Sequence, residues 1–215
     1  MSDEPSEETQ FDIPDRLKHG IVRARDQIKS TGAWWSGVQR VELATAARQA
    51  SLGEDGTASA TPAVATSMAA TIATESHTIT DDQVAAFAAE IETGLEAYVE
   101  IVGIVARTTA VDTTMRGIGA PLIELGEGDP EPPPRQPEGR ARKRSAFVPT
   151  VGPAGATSAL SSVRSEDVAQ EDLHGALYLS YSEMSQLTID KGIPRWQLEL
   201  VAARTSLLNL SLIHI

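Results

Sequence analysis

Residues that could do chemistry are few in this chain, and their spacing is poor for it. There is no cysteine among the 215 residues, so disulfides, thiolate metal sites and cysteine nucleophiles are excluded for the chain as written. The four histidines, His19, His77, His174 and His214, are scattered without ligand spacing, so neither a metal centre nor a cofactor is expected. Ser161, Ser162 and Ser165 lack the Gly-x-Ser-x-Gly context of a hydrolase nucleophile. Glu199 and His214 could in principle pair as acid and base, but two groups do not make a site, and Glu199 taken alone reads as an ordinary helix-face carboxylate. The run from Arg140 to Arg144 could bind an anionic surface. Beside a proline cluster in an acidic chain, it reads instead as a solvated linker that offsets local negative charge. Trp34 and Trp35 could frame a pocket, though such a pair more often anchors the start of a helix against its neighbours.

Composition narrows what could position these residues. Hydrophobic residues make up 41% of the chain but aromatics only 4%, so the core must be built from Ala, Val, Ile and Leu. Alanine-rich aliphatic composition favours closely packed helices, and an all-α fold is expected. The net charge of −12 argues against nucleic-acid binding as the main activity. No apolar run is long enough to span a bilayer, because Ile101 to Ala106 stops at Arg107. With an acidic, polar start in place of a signal peptide, a cytoplasmic protein without membrane contact is expected.

Along the chain, residues 1–12 read as a disordered acidic tail. A helix is predicted from Pro14, with Leu17, Ile21, Val22 and Ile28 at helical spacing, ending by Gly32. Ser36 and Gln39 form a capping box for a second helix that runs to Gly53. Pro62 opens a third through Ile72, and Thr80 with Gln83 caps a fourth through Ile91. The β-branched stretch Tyr98–Arg116 would suit a strand by composition. Its length, Asp112 placed to pair with Arg116, and the Gly117–Pro121 stop favour a buried helix. Residues 126–157 are rich in Pro, Gly and Arg and read as a linker. Helical patterning returns near Ser165 through Leu173, Leu177 and Met184, and again from Pro194 to Leu208.

Two stretches carry a resemblance. Arg195-Trp-Gln-Leu-Glu-Leu-Val-Ala-Ala-Arg-Thr-Ser-Leu-Leu-Asn209 resembles the helix that leads to the active site in the alkylhydroperoxidase-like / carboxymuconolactone decarboxylase family, where Glu-Leu-Val-x-x-Arg-x-Ser-x-x-Asn precedes Cys-x-x-Cys-x-x-x-His. The stretch from Glu96 to Asp112, ending at Arg116-Gly-Ile-Gly119, is similar to the closing helix of that fold in its two-unit, peroxidase-related branch. An internal echo of Arg40–Arg48 in Arg195–Arg204 fits two units. The resemblance implies a helical bundle with a first unit at 13–125 and the start of a second at 158–209.

It also implies a chemistry: thiol-dependent reduction of hydroperoxides. One thiolate attacks the peroxide oxygen, and a second resolves the sulfenic acid as a disulfide, which a dithiol reductant then reopens. By position Glu199 matches the family's proton-relaying glutamate. The two thiols would fall at positions 211 and 214, where this chain has Ser211 and His214. Homo-oligomerisation is a further expectation. The last six residues, Leu210–Ile215, read as the translation of a transposase end sequence used in library preparation, so 210–215 are expected to be a non-native tail and the redox cysteines to be missing from this chain. A non-catalytic helical oligomerisation module, or a degenerate family member, is the alternative. Lactone decarboxylation, the family's other named branch, is a weaker one. If the second unit is incomplete, the face of Leu198, Val201, Ala202, Thr205 and Leu208 would lack its covering helix.

Overall fold

The structure is a computed structural model that describes residues 13–54, 59–91 and 94–208. The chain is all-α. Eight α-helices are found among the described residues: α1 (Asp15–Lys29), α2 (Gly37–Leu52), α3 (Ala63–Glu75), α4 (Asp81–Glu90), α5 (Leu95–Gly117), α6 (Arg164–Leu177), α7 (Tyr181–Met184) and α8 (Arg195–Leu208). The one sheet among those residues is a two-residue pairing of β1 (Arg142–Lys143) with β2 (Pro149–Thr150), antiparallel. No helix among them is long and apolar enough to cross a membrane. The tail at 1–12 and the segment 210–215 lie outside the described residues.

Local chemistry fixes the helix starts. The Ser36 and Thr80 side chains each accept from the backbone N–H three residues on, and Gln39 and Gln83 reach back, so both expected capping boxes form. Pro62 sits just before α3 rather than inside it. A third box, Ser180 with Glu183, starts α7.

α5 is the axis of the bundle. It packs against α1, α2, α3, α4 and α6, and residues on every side of it are buried, from Ala97 through Ile101, Ile104 and Val111 to Met115. The β-branched residues that also suited a strand are therefore the packing surface of a helix surrounded by helices, where tertiary burial outweighs intrinsic propensity. Trp34 and Trp35 are both buried, and the Trp35 indole N–H donates to Ala97 O at 3.0 Å, anchoring the entry to α2 on α5.

Residues from beyond position 157 join this core. Leu160 and Val163 pack in the same apolar cluster as Leu43, Ile101 and Phe87, while Leu173 of α6 joins Ile21, Ala24 and Met115. The stretch 126–157 contains no α-helix. It is nonetheless tied to the α1–α2 corner: Asp129 N–H donates to Lys29 O at 2.8 Å, Arg135 N–H to Ala33 O at 2.9 Å, and Thr31 Oγ1 to Glu131 O at 2.9 Å.

Candidate functional site

Pro194 introduces α8, and five residues on, Glu199 lies one turn from Arg195. The Glu199 carboxylate accepts from Arg195 Nε at 2.5 Å and from the Tyr178 hydroxyl at 2.8 Å, with half of its side chain exposed. Arg195 also donates to Glu183 O at 3.3 Å and Met184 O at 3.2 Å, which fastens the first turn of α8 to α7. Burial, reinforced by the Glu199 carboxylate, pushes the Tyr178 hydroxyl up from its ordinary range. Lys191 donates to Glu183 Oε2 at 2.5 Å, and that hydrogen bond together with the Ser180 N–H holds the Glu183 carboxyl down at about 2. Glu199 is thus a positioned, solvent-reachable carboxylate. Positions 211 and 214, where the resemblance would place thiols, lie outside the described residues.

A second constellation was not singled out from the sequence. Arg40 of α2, Glu100 and Arg107 of α5, and Glu166 of α6 form a chain of ion pairs in the middle of the bundle, each residue at most 2% exposed. Arg40 Nη1 donates to Glu100 Oε1, and Arg40 Nη2 lies 2.9 Å from Glu166 Oε1. Arg107 Nη2 reaches Glu166 Oε2 at 2.5 Å, and the Trp34 N–H donates to Glu100 Oε2 at 2.7 Å. Arg40 is further held by Ile28 O and Gln27 O at 3.3 and 3.2 Å. Two cations and two anions alternate, so the cluster is formally neutral. Two glycines make room for it. A Cβ at Gly32 would strike Glu100 Oε1 and Arg40 Nη1, and one in the middle of α5 at Gly103 would strike Glu166 Oε2.

The two carboxyls differ in environment. Burial pushes Glu100 up to about 7, with Arg40 pulling it down and Glu166 pushing it further up. Burial also opposes ionisation of Glu166, but the Arg107 and Arg40 guanidiniums outweigh it and hold that carboxyl below its usual range. Arg107 Nε and Nη1 are buried without a hydrogen-bond partner among the described residues, so Arg107 depends on Glu166 alone. The cluster meets solvent at a groove of about 390 Å³ lined by Gln27, Thr31, Gly32, Arg40, Arg164 and Glu166.

The signal that would have revealed the cluster was present. Glu100 and Arg107 interrupt the apolar run of the longest helix, and charged residues there are buried only when paired. Their partners lie 59 and 60 residues away in sequence, beyond any local pattern. Asp112 shows the same limit: its partner is Arg48 of α2, bidentate at 2.7 and 2.8 Å, rather than Arg116 on its own helix. Among the described residues, no three or more His, Cys, Asp or Glu side chains converge as metal ligands would.

Comparison of the chain with protein-family models, with characterised proteins and with solved structures finds no match.

Proposed function

We propose that this chain is the helical framework of an alkylhydroperoxidase-like protein whose parent activity is thiol-dependent reduction of hydroperoxides in the cytoplasm, with Glu199 as the proton relay. The observation supporting it is the placement of Glu199. It lies on α8 and opens the Glu-Leu-Val-x-x-Arg-x-Ser-x-x-Asn run, held by Tyr178 and Arg195, with half of its side chain open to solvent. In that parent reaction a thiolate takes the distal peroxide oxygen, becoming a sulfenic acid and releasing an alcohol. A second thiol then condenses with the sulfenic acid, forming a disulfide and water, and an external dithiol restores both thiols. This chain has no cysteine, so the proposal assigns it no turnover of its own.

The test restores the two missing thiols. The unaltered chain, mixed with an alkyl hydroperoxide and a dithiol reductant, should consume peroxide no faster than a boiled control. The Ser211→Cys/His214→Cys variant should form an intramolecular disulfide stoichiometric with peroxide consumed. Turnover by the unaltered chain, or cysteines in the variant that react no faster than a free thiol, would overturn the proposal.

A second reading, a helical module that assembles as a homo-oligomer without catalysis, draws on a different observation. α8 exposes large apolar side chains: Trp196 is 65% exposed, Leu200 63%, Val201 62% and Leu207 49%. Exposed apolar surface gathered on one element marks an interaction site.

A further inference from the structure

Four of the five exposed apolar side chains of α8 share one side of it. Trp196, Leu200, Ala203 and Leu207 are spaced by four, three and four residues, the spacing that places apolar residues on one seam of a two-stranded coiled coil. All four are exposed, whereas Leu198 and Ala202, on the far side of the helix, are half-buried. Of the face expected from the sequence to need covering, Val201 and Thr205 are exposed. Leu198 and Ala202 are half-buried, and the open seam is turned away from them.

The flanking charges specify how that seam can be paired. Glu199 immediately precedes Leu200 on one edge, and Arg204 immediately follows Ala203 on the other. In a parallel pair, the edge residue before one core position faces the edge residue five positions further along the second helix, and five positions beyond Glu199 is Arg204. A two-fold axis parallel to α8 thus sets Glu199 of each copy beside Arg204 of the other, twice. An antiparallel pair would keep Glu199 and Arg204 on opposite edges and bring neither contact. The start of α8 is already fixed by Arg195 on the carbonyls of Glu183 and Met184 and by Tyr178 on Glu199, so little ordering remains to oppose pairing.

We propose that α8 is a homodimerisation seam, pairing in parallel with α8 of a second copy of this chain through Trp196, Leu200, Ala203 and Leu207, with Glu199–Arg204 pairs across it. This rests on the homo-oligomer reading and adds the surface and its orientation. The seam is confined to one 14-residue helix per copy, which sets it among transient, concentration-dependent contacts rather than large obligate interfaces.

The absence of cysteine makes the test clean, since any introduced thiol is unique. In a parallel pair Ala203 faces its own copy, within the ~4.4–6.8 Å Cα separation that a disulfide spans, while Val201 points away from the seam. Under mild oxidation with copper phenanthroline, Ala203→Cys should cross-link into a species of twice 22.8 kDa, and the equally exposed Val201→Cys should not. By sedimentation equilibrium without oxidant, the unaltered chain should dimerise, and Arg204→Glu should weaken dimerisation roughly tenfold by replacing two attractive pairs with two repulsive ones. A dimeric mass with cross-linking at 203 no better than at 201 would overturn the seam while leaving the homo-oligomer reading intact. A single-chain mass at all concentrations would overturn both. Circular dichroism of each variant separates these outcomes from misfolding.

Discussion

Replacing Glu166 by Gln should be among the most damaging single changes in the protein. The carboxylate is 1% exposed and serves two guanidiniums, Arg40 at 2.9 Å and Arg107 at 2.5 Å. Gln keeps the volume and removes the charge, leaving two buried cations against the single carboxyl of Glu100. Arg107 loses its only hydrogen-bonded anion, with Nε and Nη1 already lacking partners among the described residues. Breaking a buried pair from one side costs about 3–5 kcal/mol, because the partner's desolvation is no longer offset. Against a total stability of about 5–15 kcal/mol, that is a large share. At roughly 2–4 °C per kcal/mol for a chain of this size, the melting temperature should fall by about 6–20 °C. Urea unfolding followed by tryptophan fluorescence reads the loss, since buried Trp34 and Trp35 sit beside the cluster. The double variant Arg107→Met/Glu166→Gln should recover part of the loss by removing the stranded cation. A loss below about 1 kcal/mol for Glu166→Gln, or no recovery in the double variant, would show that the four charges are not energetically linked.

Other expectations follow from the same geometry. Glu100 is raised by burial from 4.5 to about 7. Its contribution to stability is therefore fully present below about pH 4.5 and declines as pH rises to about 7; Glu100→Gln should flatten the pH profile across that window, and an unchanged slope would contradict the assignment. Gly103→Ala should cost about 1–3 kcal/mol by pushing a methyl against Glu166, read as a lower urea midpoint. Arg48→Met removes the bidentate partner of the buried Asp112 carboxylate and should cost about 1–3 kcal/mol by leaving it unsatisfied. Trypsin should cut first in the exposed run Arg140–Arg144 and only later in α5; early cleavage within α5 would mean the bundle's central helix is open.

The helices and their starts were legible because their causes are local. A hydroxyl and an amide three residues apart announce a capping box wherever they fall, as at Ser36 and Thr80. The Ser180–Glu183 box passed unnoticed because the four-residue helix it opens has no apolar period of its own. α5 could be read as a helix by length and stop signals, even though its Val and Ile content pointed both ways. Side-chain partners were not legible. Glu100, Arg107 and Asp112 each name the need for an opposite charge, but only the packing of α2 and α6 on α5 decides that Arg40, Glu166 and Arg48 supply it. Glu199 was singled out only through the resemblance, and its contact with Tyr178 arises from the turn between α6 and α7, which no spacing rule describes. Of the face expected to lack cover on α8, Val201 and Thr205 are exposed and Leu198 and Ala202 half-buried, because the sequence does not show which side of the helix lies against the protein.

The most direct test of the proposed function compares the Ser211→Cys/His214→Cys chain with the same variant carrying Glu199→Gln. A proton-relaying group contributes about 10²–10⁴-fold to its step. Stopped-flow measurement of sulfenic acid formation with an alkyl hydroperoxide, at equal thiol ionisation, should therefore show the Gln form slower by about a hundredfold or more. Equal rates in the two forms would contradict the role assigned to Glu199 and with it the hydroperoxidase reading.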